Sequence, residues 1–489
     1  MGFNSIDFAF FFPLVTATYF LVPWRFRWML LLAASCWFYM SFIPVYIAIL
    51  LFIIVIDYVV GLLIEQSEGN RRRYFLLMSI VANASILFFF KYENFFSTNL
   101  SALAEFLHWN YSPEALLIIL PIGLSFHTFQ SLSYTIEIYR GRQKAERHFG
   151  IFALYVLFYP QLVAGPIERP QNLLHQFHEE HRVNIHRFGS GLGLMIFGFF
   201  KKLVIADNLA VFVDQAYQTP SDMVGAGVIF AAIFFAFQIY CDFSGYSDIA
   251  RGAARVMGFS LMENFRRPFF SSSIGEFWNR WHISLSGWIR DYIFMPLAVS
   301  WRGLGRMGVV LALMTAFLFS GFWHGANWTF IIWGSLFGIG LSIEFLLGRA
   351  APMSAKSGMF NAWRAVGVFV LFAFSLVFFR APSVGAALDI FARMTVGWDV
   401  FFSLLLSPAT FVSTVFPGKT AAEFIVIILG IVSLLVVEYM QEREVVSRLF
   451  AIERLHFGYV LRFVAAASAV LLIVLLARLE SQQFIYFQF

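Results

Sequence analysis

Charge is scarce in this sequence. Of 489 residues, only 13% are Asp, Glu, Lys or Arg, where a soluble domain carries about 25%. The shortage excludes a large water-exposed domain. Cysteine is scarcer still. Cys36 and Cys241 lie in different apolar segments and supply neither a disulfide framework nor a metal-binding spacing. A Gly-x-Ser-x-Gly elbow and a P-loop are also missing, which leaves serine-hydrolase and P-loop chemistry without support. The net charge of +5 is modest, and the basic residues flank apolar runs instead of forming one patch. A nucleic-acid partner is therefore not expected.

What the chain has in excess is apolar surface: 60% of it is hydrophobic, with 63 phenylalanines. Apolar runs occur at 6–22, 28–42, 44–64, 74–90, 114–138, 150–164, 188–205, 224–241, 307–323, 327–347, 364–379, 423–440 and 458–477. A membrane-spanning helix needs roughly 20 such residues. Lipid offers backbone groups no partner, so only helices or closed barrels can cross it. The run Leu50-Leu51-Phe52-Ile53-Ile54-Val55-Ile56 lacks the alternation of a barrel strand. The fold class is thus an all-α integral membrane protein. The first run has no basic stretch before it and no Ala-x-Ala after it, so it is read as a retained span. Arg25 and Arg27, Arg71 to Arg73, and Arg140, Arg142, Lys144 and Arg147 alternate with the less basic stretch 92–111. Positive-inside bias then places those basic loops in the cytoplasm and the N-terminus outside.

Chemistry concentrates in the polar middle. In Phe322-Trp323-His324-Gly325-Ala326-Asn327-Trp328 a histidine stands between two apolar runs. An ionisable group at that depth is costly and suggests function, and imidazole exchanges protons near neutrality. Gly321 and Gly325 permit close backbone approach, and Trp323 and Trp328 could wall a pocket. The alternative is a core histidine bonded to a carbonyl. In Trp278-Asn279-Arg280-Trp281-His282-Ile283-Ser284, a continuous helix would put Trp278, Trp281 and His282 on one face and Arg280 with Ser284. An interfacial anchor of Trp and Arg would have the same spacing. In Tyr240-Cys241-Asp242-Phe243-Ser244-Gly245-Tyr246-Ser247-Asp248, the acids and serines could bind a polar substrate or satisfy a broken helix. The run His175, His178, His181 and His186 reads better as a solvated helix than as a zinc site, and no metal is expected.

These stretches resemble the membrane-bound O-acyltransferase family, within it the bacterial branch of the alginate O-acetyltransferase AlgI. Further matches are Leu124 to Gln130, Ala164 to Pro170 and Val377 to Ala381. The resemblance implies a single membrane domain over 1–489. It also implies a ring of roughly 10–13 transmembrane and re-entrant helices around a thin catalytic centre. It makes His324 and His282 the catalytic histidines. Trp281, Trp323, Asn327, Asp242, Ser244, Asp248 and Arg280 are the substrate-binding or site-shaping candidates. It implies no bound cofactor, acetyl-coenzyme A as donor, and a multi-pass protein in the bacterial inner membrane. Its partners would be membrane lipid, a periplasmic acetyltransferase of the AlgJ- or AlgX-like SGNH hydrolase type, and polysaccharide synthase machinery. The expected function is O-acetylation of an exported polysaccharide, alginate-like or cellulose-like. The alternatives are D-alanyl transfer to teichoic acid, or a non-catalytic transporter or scaffold. The aromatic ending at 484–489, Phe484-Ile485-Tyr486-Phe487-Gln488-Phe489, is an interfacial anchor or an acyl relay through Tyr486. The relay reading rests on its similarity to the Phe-x-Tyr ending of the D-alanyl system's small peptide.

Overall fold

The structure, a computed structural model, describes residues 1–109, 120–348, 358–404, 408–443, 457–477 and 484–485. It is about 80% helical, and among the described residues there is no strand. Seven helices there are long and apolar enough to cross a membrane: Pro44–Gln66, Gly69–Phe106, Gly225–Met257, Arg306–His324, Trp328–Leu346, Asn361–Arg380 and Ala421–Glu442. Shorter apolar helices include Ile6–Leu21.

Three expectations change. The run at 150–164 is not a span. Its helix, Phe149–Leu157, has 9 residues and then gives way to irregular chain at Pro160 and Gly165-Pro166. Every residue from 151 to 168 is buried, so this backbone is packed in protein and not in lipid. The stretch 92–111 is not a loop over its described part, because the helix Glu93–Phe106 occupies it. The run at 224–241 does not break at Asp242. One helix of 33 residues continues to Met257, since no proline interrupts it and its acids are paired with lysines.

The chain forms two compact units: Met1–Leu192 with Ala250–Glu263, and Gly193–Ile249 with Asn264–Phe489. In the first, the basic loops are tied together at one end. Arg27 donates to the His181 carbonyl at 2.6 Å and Trp24 to the Glu179 carbonyl at 3.0 Å. Arg72 donates to the Ile138 carbonyl at 2.6 Å, Arg147 pairs with Glu65, and His178 meets Glu146 at 2.8 Å. His181 is bonded to the Gln176 carbonyl at 2.9 Å and His175 faces Glu179 at 3.6 Å. The histidine run thus engages backbone and carboxylates.

The second unit is built on aromatic packing. Trp281 stacks on Phe277 at 5.5 Å and touches Phe372 at 4.7 Å. The helices Arg306–His324 and Trp328–Leu346 cross closely at glycine. A Cβ on Gly321 would lie 2.2 Å from the Phe330 carbonyl oxygen, and one on Gly325 would lie 2.0 Å from the Phe330 ring. That crossing sets the position of His324.

Candidate active site

His324 closes the Arg306–His324 helix and is 7% exposed. Its ring is walled by Trp323 at 4.9 Å, Trp333 at 5.1 Å and Phe379 at 5.2 Å. His282 is fully buried in the same unit. Its ring meets Trp323 at 6.4 Å, so both imidazoles contact the one indole. Trp328, the other proposed wall, is 54% exposed and stands outside.

His282 does not sit on a helical face with Trp278 and Trp281. The helix Ile274–Arg280 ends first, Trp281 is extended, and His282 takes left-handed backbone with φ 44° before Ile283–Ile289 begins. That conformation costs of order 1–3 kcal/mol in a non-glycine residue. Asn264 holds it. The Ile283 N–H donates to the Asn264 carbonyl at 2.8 Å, and Asn264 Oδ1 receives Ser284 Oγ at 2.9 Å and lies 3.1 Å from His282 Nδ1. Asn264 Nδ2 in turn donates to Ser247 Oγ at 3.3 Å. Phe243 stands edge-on to the His282 ring at 4.7 Å. Burial pushes the imidazole down to about 3, so His282 is neutral at physiological pH.

The polar residues on Gly225–Met257 serve a different arrangement. Asp242 pairs with Lys202 at 2.8 Å, and Lys202 also pairs with Asp207 at 2.8 Å. Asp248 pairs with Lys201, and Tyr240 donates to Glu438. Asp242 also accepts the Ile485 N–H at 2.7 Å. Phe484 packs on Tyr246 at 5.0 Å and on Phe243 at 5.9 Å. The C-terminal residues 484 and 485 are thus bound beside the ring that covers His282. Tyr486 lies outside the described residues. Ser244 is 1% exposed, and its hydroxyl has no hydrogen-bond partner among the described residues.

Two candidates from the sequence make contacts away from the two histidines. Arg280 bonds Glu276 at 2.8 Å and Glu442 at 3.0 Å, not the Ser284 side. Asn327 caps Trp328–Leu346 through the Thr329 N–H at 3.1 Å and donates to the Pro382 carbonyl at 2.8 Å. The sequence reading missed Asn264, Lys201, Lys202, Trp333 and Phe379. Two adjacent lysines inside the apolar run 188–205 were a readable signal, because charge at that depth demands partners.

The match to known families decides what such histidines belong to. Residues 147–384 match the model of MBOAT, the membrane-bound O-acyltransferase family. The chain is 38% identical over 407 residues to the "Probable alginate O-acetylase AlgI" of Azotobacter vinelandii, covering 81% of this chain and 78% of that one. The chain belongs to the membrane-bound O-acyltransferase family. It is a multi-pass membrane O-acyltransferase. It is also 35% identical over 394 residues to the "Peptidoglycan O-acetyltransferase" of Helicobacter pylori, covering 74% of this chain and 73% of that one. Similarity to the "Teichoic acid D-alanyltransferase" of Streptococcus thermophilus is lower, 30% over 281 residues, or 51% of this chain and 65% of that one.

Asn264 gives a direct test of how the acyltransferase orients His282. Asn264→Asp keeps the accepting oxygen but adds a charge that favours imidazolium, raising the His282 pKa. Transfer by this variant is expected to fall as pH drops from about 7 to 5, while the wild type shows no such loss from this group. Identical pH–rate profiles would show that Asn264 does not set the state of His282.

Proposed function

We propose that this acyltransferase takes acetyl from acetyl-coenzyme A at the cytoplasmic face of the bacterial inner membrane and passes it outward for O-acetylation of an exported polysaccharide, alginate-like or cellulose-like. The observation that carries the reading is His324 at the end of a membrane-length helix, boxed by Trp323, Trp333 and Phe379 in one unit with His282. The relatives' names supply the acyl group and the polymer class.

His324 acts as the base. Its imidazole takes the proton of an attacking hydroxyl, the oxygen bonds to the thioester carbonyl carbon, the C–S bond breaks, and the imidazolium returns the proton to the departing thiolate. An aromatic, water-poor box protects the acyl group from hydrolysis. His282, neutral and fixed by Asn264, orients the reacting groups. Tyr486 supplies the first accepting hydroxyl. Its phenyl ester is more reactive than an alkyl ester, so onward transfer to a serine of a periplasmic SGNH-type partner is downhill. Asp242, held by Lys202, serves this scheme as a support of the tail through the Ile485 N–H, and Asp248, paired with Lys201, lies on the same helix.

The whole of 1–489 works as one catalytic domain in this scheme. The gathering of the Arg27, Arg72 and Arg147 loops at one end of the first unit supports a cytoplasmic basic face. Cysteine labelling from outside is expected to modify a residue introduced at Asn99 and to spare one at Asn70. The opposite pattern would invert the orientation.

The function is tested by deleting the gene in the producing strain and restoring the wild-type chain. Acids released from the exported polymer by mild alkali are then identified. Acetate is expected only in the restored strain. Equal acetate without the chain, or D-alanine in its place, would overturn the reading.

A further inference from the structure

The rings that wall His324 are themselves walled. Trp323, Trp333 and Phe379 stand 4.9, 5.1 and 5.2 Å from the imidazole. The two that come from other helices also touch each other, Trp333 to Phe379 at 5.3 Å. Behind them lies a second layer. Phe330 packs on Phe379 at 4.9 Å, and Phe337 and Trp278 pack on Trp333 at 5.4 and 5.7 Å. Trp333 and Phe379 are each 2% exposed, and all of these residues belong to the second unit.

Neither ring has room to step back. Trp333 precedes Gly334, where a Cβ would lie 2.3 Å from the Phe317 carbonyl oxygen, so Trp328–Leu346 is already pressed against Arg306–His324. Phe379 precedes Arg380, which ends Asn361–Arg380 and is held by its ion pair with Asp214. A close-packed interior yields little to an added methylene.

Catalytic distances decide what meets these rings. A hydroxyl that gives its proton to the imidazole sits about 3 Å from the ring nitrogen. The acyl carbon it attacks lies about 3–3.5 Å further on. That carbon therefore falls within about 6 Å of the imidazole, the shell that the three rings occupy. The thioester sulfur and the hydroxyl need the side left open, so the tail of the acyl group is turned toward aromatic carbon. Trp323 is shared with His282 at 6.4 Å, which leaves Trp333 and Phe379 as the wall proper.

We propose that Trp333 and Phe379 act as a ruler that admits acetyl and rejects acyl groups of four or more carbons. The inference rests on His324 being the site of transfer. Acetyl carries only a methyl beyond its carbonyl. Butyryl carries two further methylenes, which would have to displace rings already backed by other rings.

The test is thiol release by the purified full-length chain from acetyl-, propionyl-, butyryl- and hexanoyl-coenzyme A, each supplied alone. The wild type should prefer acetyl to butyryl by about 100-fold or more in kcat/KM, since one methylene is worth about 10–200-fold in a tight apolar pocket. Phe379→Leu and Trp333→Phe should each narrow that ratio by about 10-fold, at some cost to acetyl transfer itself. The ratio is taken within one preparation, so a smaller folded fraction cancels. A merely structural role would lower transfer from every thioester by the same factor. Equal acetyl and butyryl transfer in the wild type, or the wild-type ratio in both variants, would overturn the ruler. No thiol release from any thioester would refute the coenzyme A donor, a different failure visible in the wild type alone, and the ruler would fall with it.

Discussion

A strain whose only copy of this chain is His324→Ala is expected to export polymer with acetyl ester reduced by about 10²–10⁴-fold, the range for loss of a general base. The protein itself should still reach the membrane at near-normal amounts. His324 ends its helix, and the helix crossing depends on Gly321 and Gly334, not on the imidazole. Deleting the ring leaves a cavity between Trp323, Trp333 and Phe379, which costs stability. Loss of activity with retained protein thus separates chemistry from folding. Acetate on the polymer close to the wild-type level would remove His324 from the mechanism.

The second large effect is expected at the C-terminus. Tyr486→Phe keeps the ring and deletes one hydroxyl, and it should abolish acetyl delivery to the polymer. Two neighbours make the tail more than a surface anchor. Ile485 is 1% exposed and gives its N–H to Asp242, itself fixed by Lys202. Phe484 packs on Phe243, whose ring covers His282. A lipid anchor would leave those residues in the membrane interface and would tolerate the loss of a hydroxyl. Wild-type acetate in Tyr486→Phe would end the relay and return the tail to a packing role.

How far the sequence could be read depends on which physics each residue obeys. Apolar length alone forecast helices such as Arg306–His324 and Trp328–Leu346, because the lipid requirement is local. It failed at 150–164, where burial against protein gives the same composition as burial in lipid. Motif likeness pointed to His282 and His324, but helical spacing misplaced His282. Its left-handed backbone is held by Asn264, 18 residues earlier, which no local pattern reveals. Asp242, Asp248 and Arg280 were legible as important polar residues. Their partners Lys202, Lys201 and Glu442 are tertiary, so the ion pairs of those three emerged only from the structure.

The most direct measurement is acyl transfer by the purified chain itself. Wild-type and His324→Ala proteins are incubated with acetyl-coenzyme A labelled in the acetyl group, and both free thiol and ester-bound label on the chain are followed. The account predicts thiol release matched by base-labile label in the wild type, and neither in the variant. Label and thiol appearing equally in both proteins would contradict it.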